Sequence, residues 1–79
     1  MIENIIPILR ADNLAVTKRF YLDVLGFAVD WEAPHMISVS RDAHAIMICE
    51  GHQGQRGAWV WIGVQDAEAL YQEFVAKAP

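Results

Sequence analysis

The 79 residues carry six Lys and Arg against ten Asp and Glu, for a net charge of −4, and 54% of them are hydrophobic; a fold this small hides only about 60% of its unfolded surface, which excludes a second autonomous core. The acidic balance, with its basic residues scattered, excludes a phosphate backbone as partner, and a single cysteine, Cys49, excludes an internal disulfide. No apolar run approaches the ~18 residues of a membrane span and the N-terminus lacks a signal-peptide pattern, so the expectation is a soluble, unprocessed, cytoplasmic protein with no membrane or nucleic-acid partner.

In chain order, Ile2 to Leu9 is rich in isoleucine and reads as a strand, ending at Arg10-Ala11-Asp12-Asn13, which offers two N-caps. From Leu14 to Leu25 the residues Leu14, Val16, Phe20, Tyr21, Val24 and Leu25 recur at three- and four-residue intervals, a helix that Gly26 stops. Phe27 to Trp31 alternates as a strand, with Phe27, Val29 and Trp31 on one face and Ala28, Asp30 and Glu32 on the other. Ala33-Pro34-His35 turns it. Met36 to Ser40 and Ala45 to Cys49 are two further strands, joined through Arg41-Asp42-Ala43 as a hairpin. Glu50 to Gly57 reads as a surface loop. Trp59 to Val64 is then expected as a strand, Asp66 as an N-cap, and Ala67, Leu70, Phe74 and Ala78 as one face of a second helix.

Laying Asn13 on Asp66 gives an offset of 53 that also places Ile6 on Trp59, Ile8 on Trp61 and Tyr21 on Phe74, so the strand-cap-helix unit is repeated. The expected fold class is α+β: a complete βαβββ module with a curved mixed sheet over residues 1–50, a loop over 51–57, and the strand-helix start of a second module over 58–79, all in a single domain. Val29, Ile37, Val39, Ile46, Ile48, Val60, Ile62 and Val64 are expected beneath the helices. The opposite face collects Asp30, Met36, Ser38, Ser40, Ala45, Met47, Cys49, Trp59, Trp61 and Gly63, the soft, aromatic and sparsely polar mixture of a concave binding surface. Trp59 and Trp61, two apart on one strand, would stand roughly 7 Å apart. Two readings of the pair stand: a wall for a planar guest, or an interface with a second module or subunit. His35, His44 and His52 share no ligand spacing and read as surface residues, and Cys49 reads as an inert buried thiol.

The runs Pro7 to Leu14, Arg19-Phe20-Tyr21-Leu22-Asp23-Val24-Leu25-Gly26-Phe27, Val29-Asp30-Trp31, Val39-Ser40-Arg41-Asp42, Glu50-Gly51-His52 and Val60 to Tyr71 together resemble the glyoxalase/bleomycin-resistance/extradiol-dioxygenase superfamily, also called vicinal oxygen chelate, and within it the bleomycin-resistance branch. The resemblance implies a curved sheet of two βαβββ modules, often exchanged between the subunits of a dimer. Metal-dependent members hold a divalent ion with side chains from the first, fourth, fifth and last strands. Here the first three of these positions are Ile6, Met47 and Trp59, none of them a hard-metal ligand. That departure favours the branch whose members bind planar, often cationic antibiotics without chemical change.

The expected function is therefore a metal-free, cofactor-free protein that sequesters a planar aromatic antibiotic in an aromatic cleft at a homodimer interface. Its expected ligand-binding residues are Trp59, Trp61, Met47, Asp30, Ser38, Cys49, Ile6 and Ile8, with Asp30 and Glu32 suited to a cationic guest. The alternatives are a metal-dependent lyase or dioxygenase of the same superfamily, and a truncated module that only self-associates.

Overall fold

The computed structural model describes residues 1–51 and 54–78, so His52 and Pro79 lie outside the described residues. The elements in chain order are β1 (Ile8–Ala11), α1 (Leu14–Asp23), β2 (Ala28–Ala33), β3 (Met36–Arg41), β4 (His44–Glu50) and α2 (Ala67–Lys77). β1 to β4 form one sheet of order β1-β4-β3-β2, in which β1 lies parallel to β4 and the other two pairings are antiparallel. The fold is α+β and mixed, as the alternating patterns require.

β1 starts six residues later than the isoleucine run does. The cause is Pro7, which has no N–H to donate, so the ladder opens with its carbonyl accepting from the Met47 N–H at 2.9 Å. α1 begins where Asn13 caps it, the side chain accepting from the Val16 N–H at 3.1 Å. At the other end Gly26 takes φ +75°, a conformation open to glycine, and the chain closes through the Phe27 N–H donating to the Tyr21 carbonyl at 2.9 Å. Asp42 and Ala43, at φ 53° and 66°, form the two-residue turn between β3 and β4.

α1 covers one face of the sheet. Ile37, Val39, Ile46 and Ile48 join Ala11 in the buried cluster beneath it, with Leu9, Leu14, Tyr21 and Phe27 packed around them. The expected parity therefore holds in β3 and β4. It fails beyond the loop: residues 58–64 form no ladder, and Ile62 and Val64 stand 60% and 45% exposed rather than beneath a helix. β-propensity alone makes no strand, because its backbone groups need a neighbour, and no described strand pairs with this segment. Asp66 nevertheless caps α2 as expected, accepting from the Ala69 N–H at 3.0 Å. No described helix is long and apolar enough to cross a membrane.

Candidate functional site

No described helix packs on the sheet face away from α1, and register fixes what that face presents. Residues paired across neighbouring strands share a face. Trp31 pairs with Ser38, Ser38 with Met47, and Met47 with Ile8, so these four form one row across all four strands. Ala33, Met36, Cys49 and Arg10 form the next such row, and Ala28, Ser40 and Ala45 another.

Trp31 is a candidate site residue that sequence alternation places on the other face. Strict alternation puts it with Val29 beneath α1, whereas the register slips between Val29 and Trp31, leaving Asp30 as the extra residue of a β-bulge. Beyond the bulge every side chain changes face. Trp31 turns to the open side, where it is 42% exposed, and Glu32 turns to the helix side, where it accepts from Lys18 Nζ of α1 at 2.6 Å. Glu32 is thus corrected from a candidate for a cationic guest to a partner of Lys18. The signal in the sequence is faint: Asp in a strand, against its propensity, beside two serines able to hold it.

Those serines are Ser38 and Ser40. Ser38 Oγ donates to Asp30 Oδ2 at 3.1 Å and Ser40 Oγ to Oδ1 at 2.7 Å, so the carboxylate is fixed by one hydroxyl on each oxygen. Ser38 is 2% exposed and would be costly to bury without this partner. Among the described residues no cationic side chain pairs with Asp30. The face therefore carries a fixed negative charge beside an indole, a thioether and an aliphatic side chain.

Of the eight residues expected to line a site, five lie together on this face: Ile8, Asp30, Ser38, Met47 and Cys49, the last buried as a free thiol. Ile6 is half-buried just ahead of β1. Trp59 and Trp61 are not gathered to them; at 97% and 89% exposed they stand in solvent. The Trp61 ring lies along its own backbone over Gly63, where an added β carbon would come within 2.6 Å of it.

A cleft of about 320 Å³ lies on the helix side, between Leu14, Lys18, Glu32, Pro34, Ile37 and Glu50. Its charged groups are already engaged, Lys18 with Glu32 and Glu50 with the Leu14 N–H at 2.8 Å, which leaves it little to offer a ligand. Of the three positions where the resemblance puts metal ligands, Met47 lies on β4 paired with Ile8, Ile6 lies half-buried ahead of β1 and Trp59 stands in solvent, and among the described residues no group of three His, Cys, Asp or Glu is placed to hold an ion.

Comparison with solved structures adds relatives. The bleomycin-binding protein of the bleomycin producer Streptomyces verticillus, solved with copper(II)-bleomycin, is 27% identical and superposes with a TM-score of 0.81 over 98% of this chain and 66% of that one. A bleomycin resistance determinant encoded on the transposon Tn5 shares the fold at 18% identity, with a TM-score of 0.76 over 95% of this chain and 64% of that one. A glyoxalase/bleomycin resistance protein/dioxygenase superfamily member from Vibrio splendidus, 28% identical, gives a TM-score of 0.55 over 90% of this chain and 65% of that one. The chain thus spans slightly less than two thirds of the length of these solved chains. None of the curated protein sequences compared is similar enough to count as a match. The family model described as "Glyoxalase superfamily protein" matches residues 1–78, end to end with the fold just described, and the chain belongs to that superfamily.

Proposed function

We propose that the open sheet face binds a planar aromatic antibiotic of the bleomycin kind and sequesters it without chemical change, in a cleft completed by a second copy of the chain. The observation that carries this reading is that Trp31, Met47 and Ile8 line up on a sheet face over which no described helix packs, flanked by the Asp30 carboxylate that the buried Ser38 and its neighbour Ser40 hold. An indole and a thioether suit a flat aromatic ring, and an unpaired, fixed carboxylate suits a cationic substituent on it. The bleomycin-binding relative supports the same ligand class.

Trp59 and Trp61 belong to this reading as the wall that a second copy would bring up. Each indole covered by guest or partner hides on the order of 200 Å², which favours association by several kcal/mol at roughly 25 cal/mol/Å². Ile6 serves as lining, while Cys49, 2% exposed, backs the face from beneath.

Binding is read from tryptophan fluorescence while the chain is titrated with bleomycin, both metal-free and copper-loaded. The expected result is saturable quenching by both forms, weakened at least about tenfold in Trp31→Ala, the loss that removing one aromatic anchor typically causes. Absence of saturable quenching by either form, with the protein folded by circular dichroism, would overturn the reading. Quenching that Trp31→Ala leaves untouched would remove Trp31 from the site.

A further inference from the structure

α2 is held to the rest of the molecule in an unusual way for a helix of 11 residues: none of its residues is buried, and only Leu70, Glu73 and Phe74 are half-buried. The segment ahead of it, 58–64, forms no ladder. The buried cluster under α1 takes no residue from either. Apolar packing therefore leaves much of the position of α2 unexplained.

Arg41, the last residue of β3, supplies what packing does not. Its Nη1 donates to Glu73 Oε2 at 2.6 Å and its Nη2 to Oε1 at 3.0 Å, a two-pronged fit of guanidinium to carboxylate. The same Nη1 donates to the Leu25 carbonyl beyond the end of α1 at 2.7 Å. One side chain thus joins the end of β3, the end of α1 and the middle of α2. The space is close-fitting: a β carbon added at Gly26 would lie 3.0 Å from Arg41 Nη1 and 3.6 Å from Glu73 Oε2. The other charges facing the pair are Asp42, 3.7 Å from Arg41 Nε, and Lys77, 4.0 Å from Glu73 Oε2.

We propose that Arg41 and Glu73 form an ionic latch that positions α2, and with it the Trp59 and Trp61 segment, so that opening the latch releases residues 58–78 as a unit while the sheet stays folded. Arg41 is a positioning residue in this arrangement and touches no ligand. The latch is independent of what the open face binds. A latch made of partly exposed charges is also screened by salt, which an apolar contact is not.

The test is amide hydrogen exchange followed by mass spectrometry on the full chain, wild type beside Glu73→Ala and Arg41→Ala, at low salt and at 1 M NaCl. Glu73→Ala removes the latch from a half-exposed helix position with the best helix former, and so keeps the test open should Arg41→Ala disturb the β3 end. The expected result is roughly tenfold faster exchange in α2 for either variant, the scale of losing a charge-assisted pair of bonds, with β3 and β4 unchanged. Salt should accelerate α2 exchange in the wild type and do nothing further in Glu73→Ala. Unchanged α2 exchange in Glu73→Ala, equal loss of protection in β3 and β4, or salt sensitivity that survives Glu73→Ala would each overturn the proposal.

Discussion

The guanidinium of Arg41 and the carboxylate of Glu73 shift each other's titration in opposite directions. Hydrogen bonding to Arg41 is the main influence holding Glu73 below its ordinary carboxylate value, with the nearby charges of Arg41 and Lys77 acting the same way against partial desolvation. Hydrogen bonding to Glu73 raises Arg41 in turn. A carboxyl whose value is depressed when docked contributes stability that is fully present above the ordinary carboxylate range and is lost as pH falls through the docked value. Docking of α2 should therefore be constant at neutral pH and weaken in acid, while basic pH has no effect through this group. Exchange rates in α2 measured down a pH series, corrected for intrinsic rates and compared with Glu73→Ala, check the sign. A wild type whose α2 protection rises on acidification, or falls no further than that of the variant, would show that Glu73 is not the titrating group.

At the scale of elements, the turn between β3 and β4 carries a correctable strain. Both of its central residues have positive φ, as a two-residue hairpin turn requires, yet the second is Ala43 at 66°. Its β carbon crowds the backbone there, whereas the Asp-Gly pair is a preferred solution. Ala43→Gly should accordingly raise stability by about 0.5–1 kcal/mol, less than the full steric relief because glycine also loosens the unfolded chain. The measurement is a higher urea midpoint at unchanged slope; a lower midpoint would mean that the turn is not strained. The same hairpin shows what alternation in a sequence can convey. Ile37, Val39, Ile46 and Ile48 were legible as the buried face because their strands pair without irregularity, and Asn13, Gly26 and Asp66 were legible as helix ends because capping is local. Trp31 was not, since one extra residue at Asp30 reverses every later side chain of β2 and is specified by pairing with β3, not by β2 itself. For the same reason Trp59 to Val64 reads as a strand on composition but forms none among the described strands: a strand is a property of two chains of backbone, and the sequence states only one of them.

The whole molecule poses the question of what covers its apolar surface. β1 pairs on one edge with β4 and β2 on one edge with β3, so each leaves its other edge without a described strand. Trp59, Trp61, Ile62 and Val64 are exposed to 97%, 89%, 60% and 45%, a concentration of large apolar side chains that a solitary small domain seldom carries in water. A net charge of −4 does not offset this, because the acidic residues are not gathered there: within 58–65 there is none. A second copy offers the one partner that is certain to be present at equal concentration, and a twofold axis would let each copy's 59–64 segment lie against the other's open sheet face or free edge at once. Light scattering on the eluting peak at micromolar concentration should then give twice the chain mass. Ile62→Glu, a charge at a position that is 60% exposed and outside the buried cluster, should shift the equilibrium towards monomer without loss of helix or sheet signal. The salt response separates this contact from the Arg41 latch: burial of indoles and aliphatics should hold or tighten in high salt, whereas an ion pair loosens. A wild type that stays monomeric at micromolar concentration in both low and high salt would leave Trp59 and Trp61 as solvent-exposed side chains with no partner from this chain, and the cleft would then have to be built on the open sheet face alone.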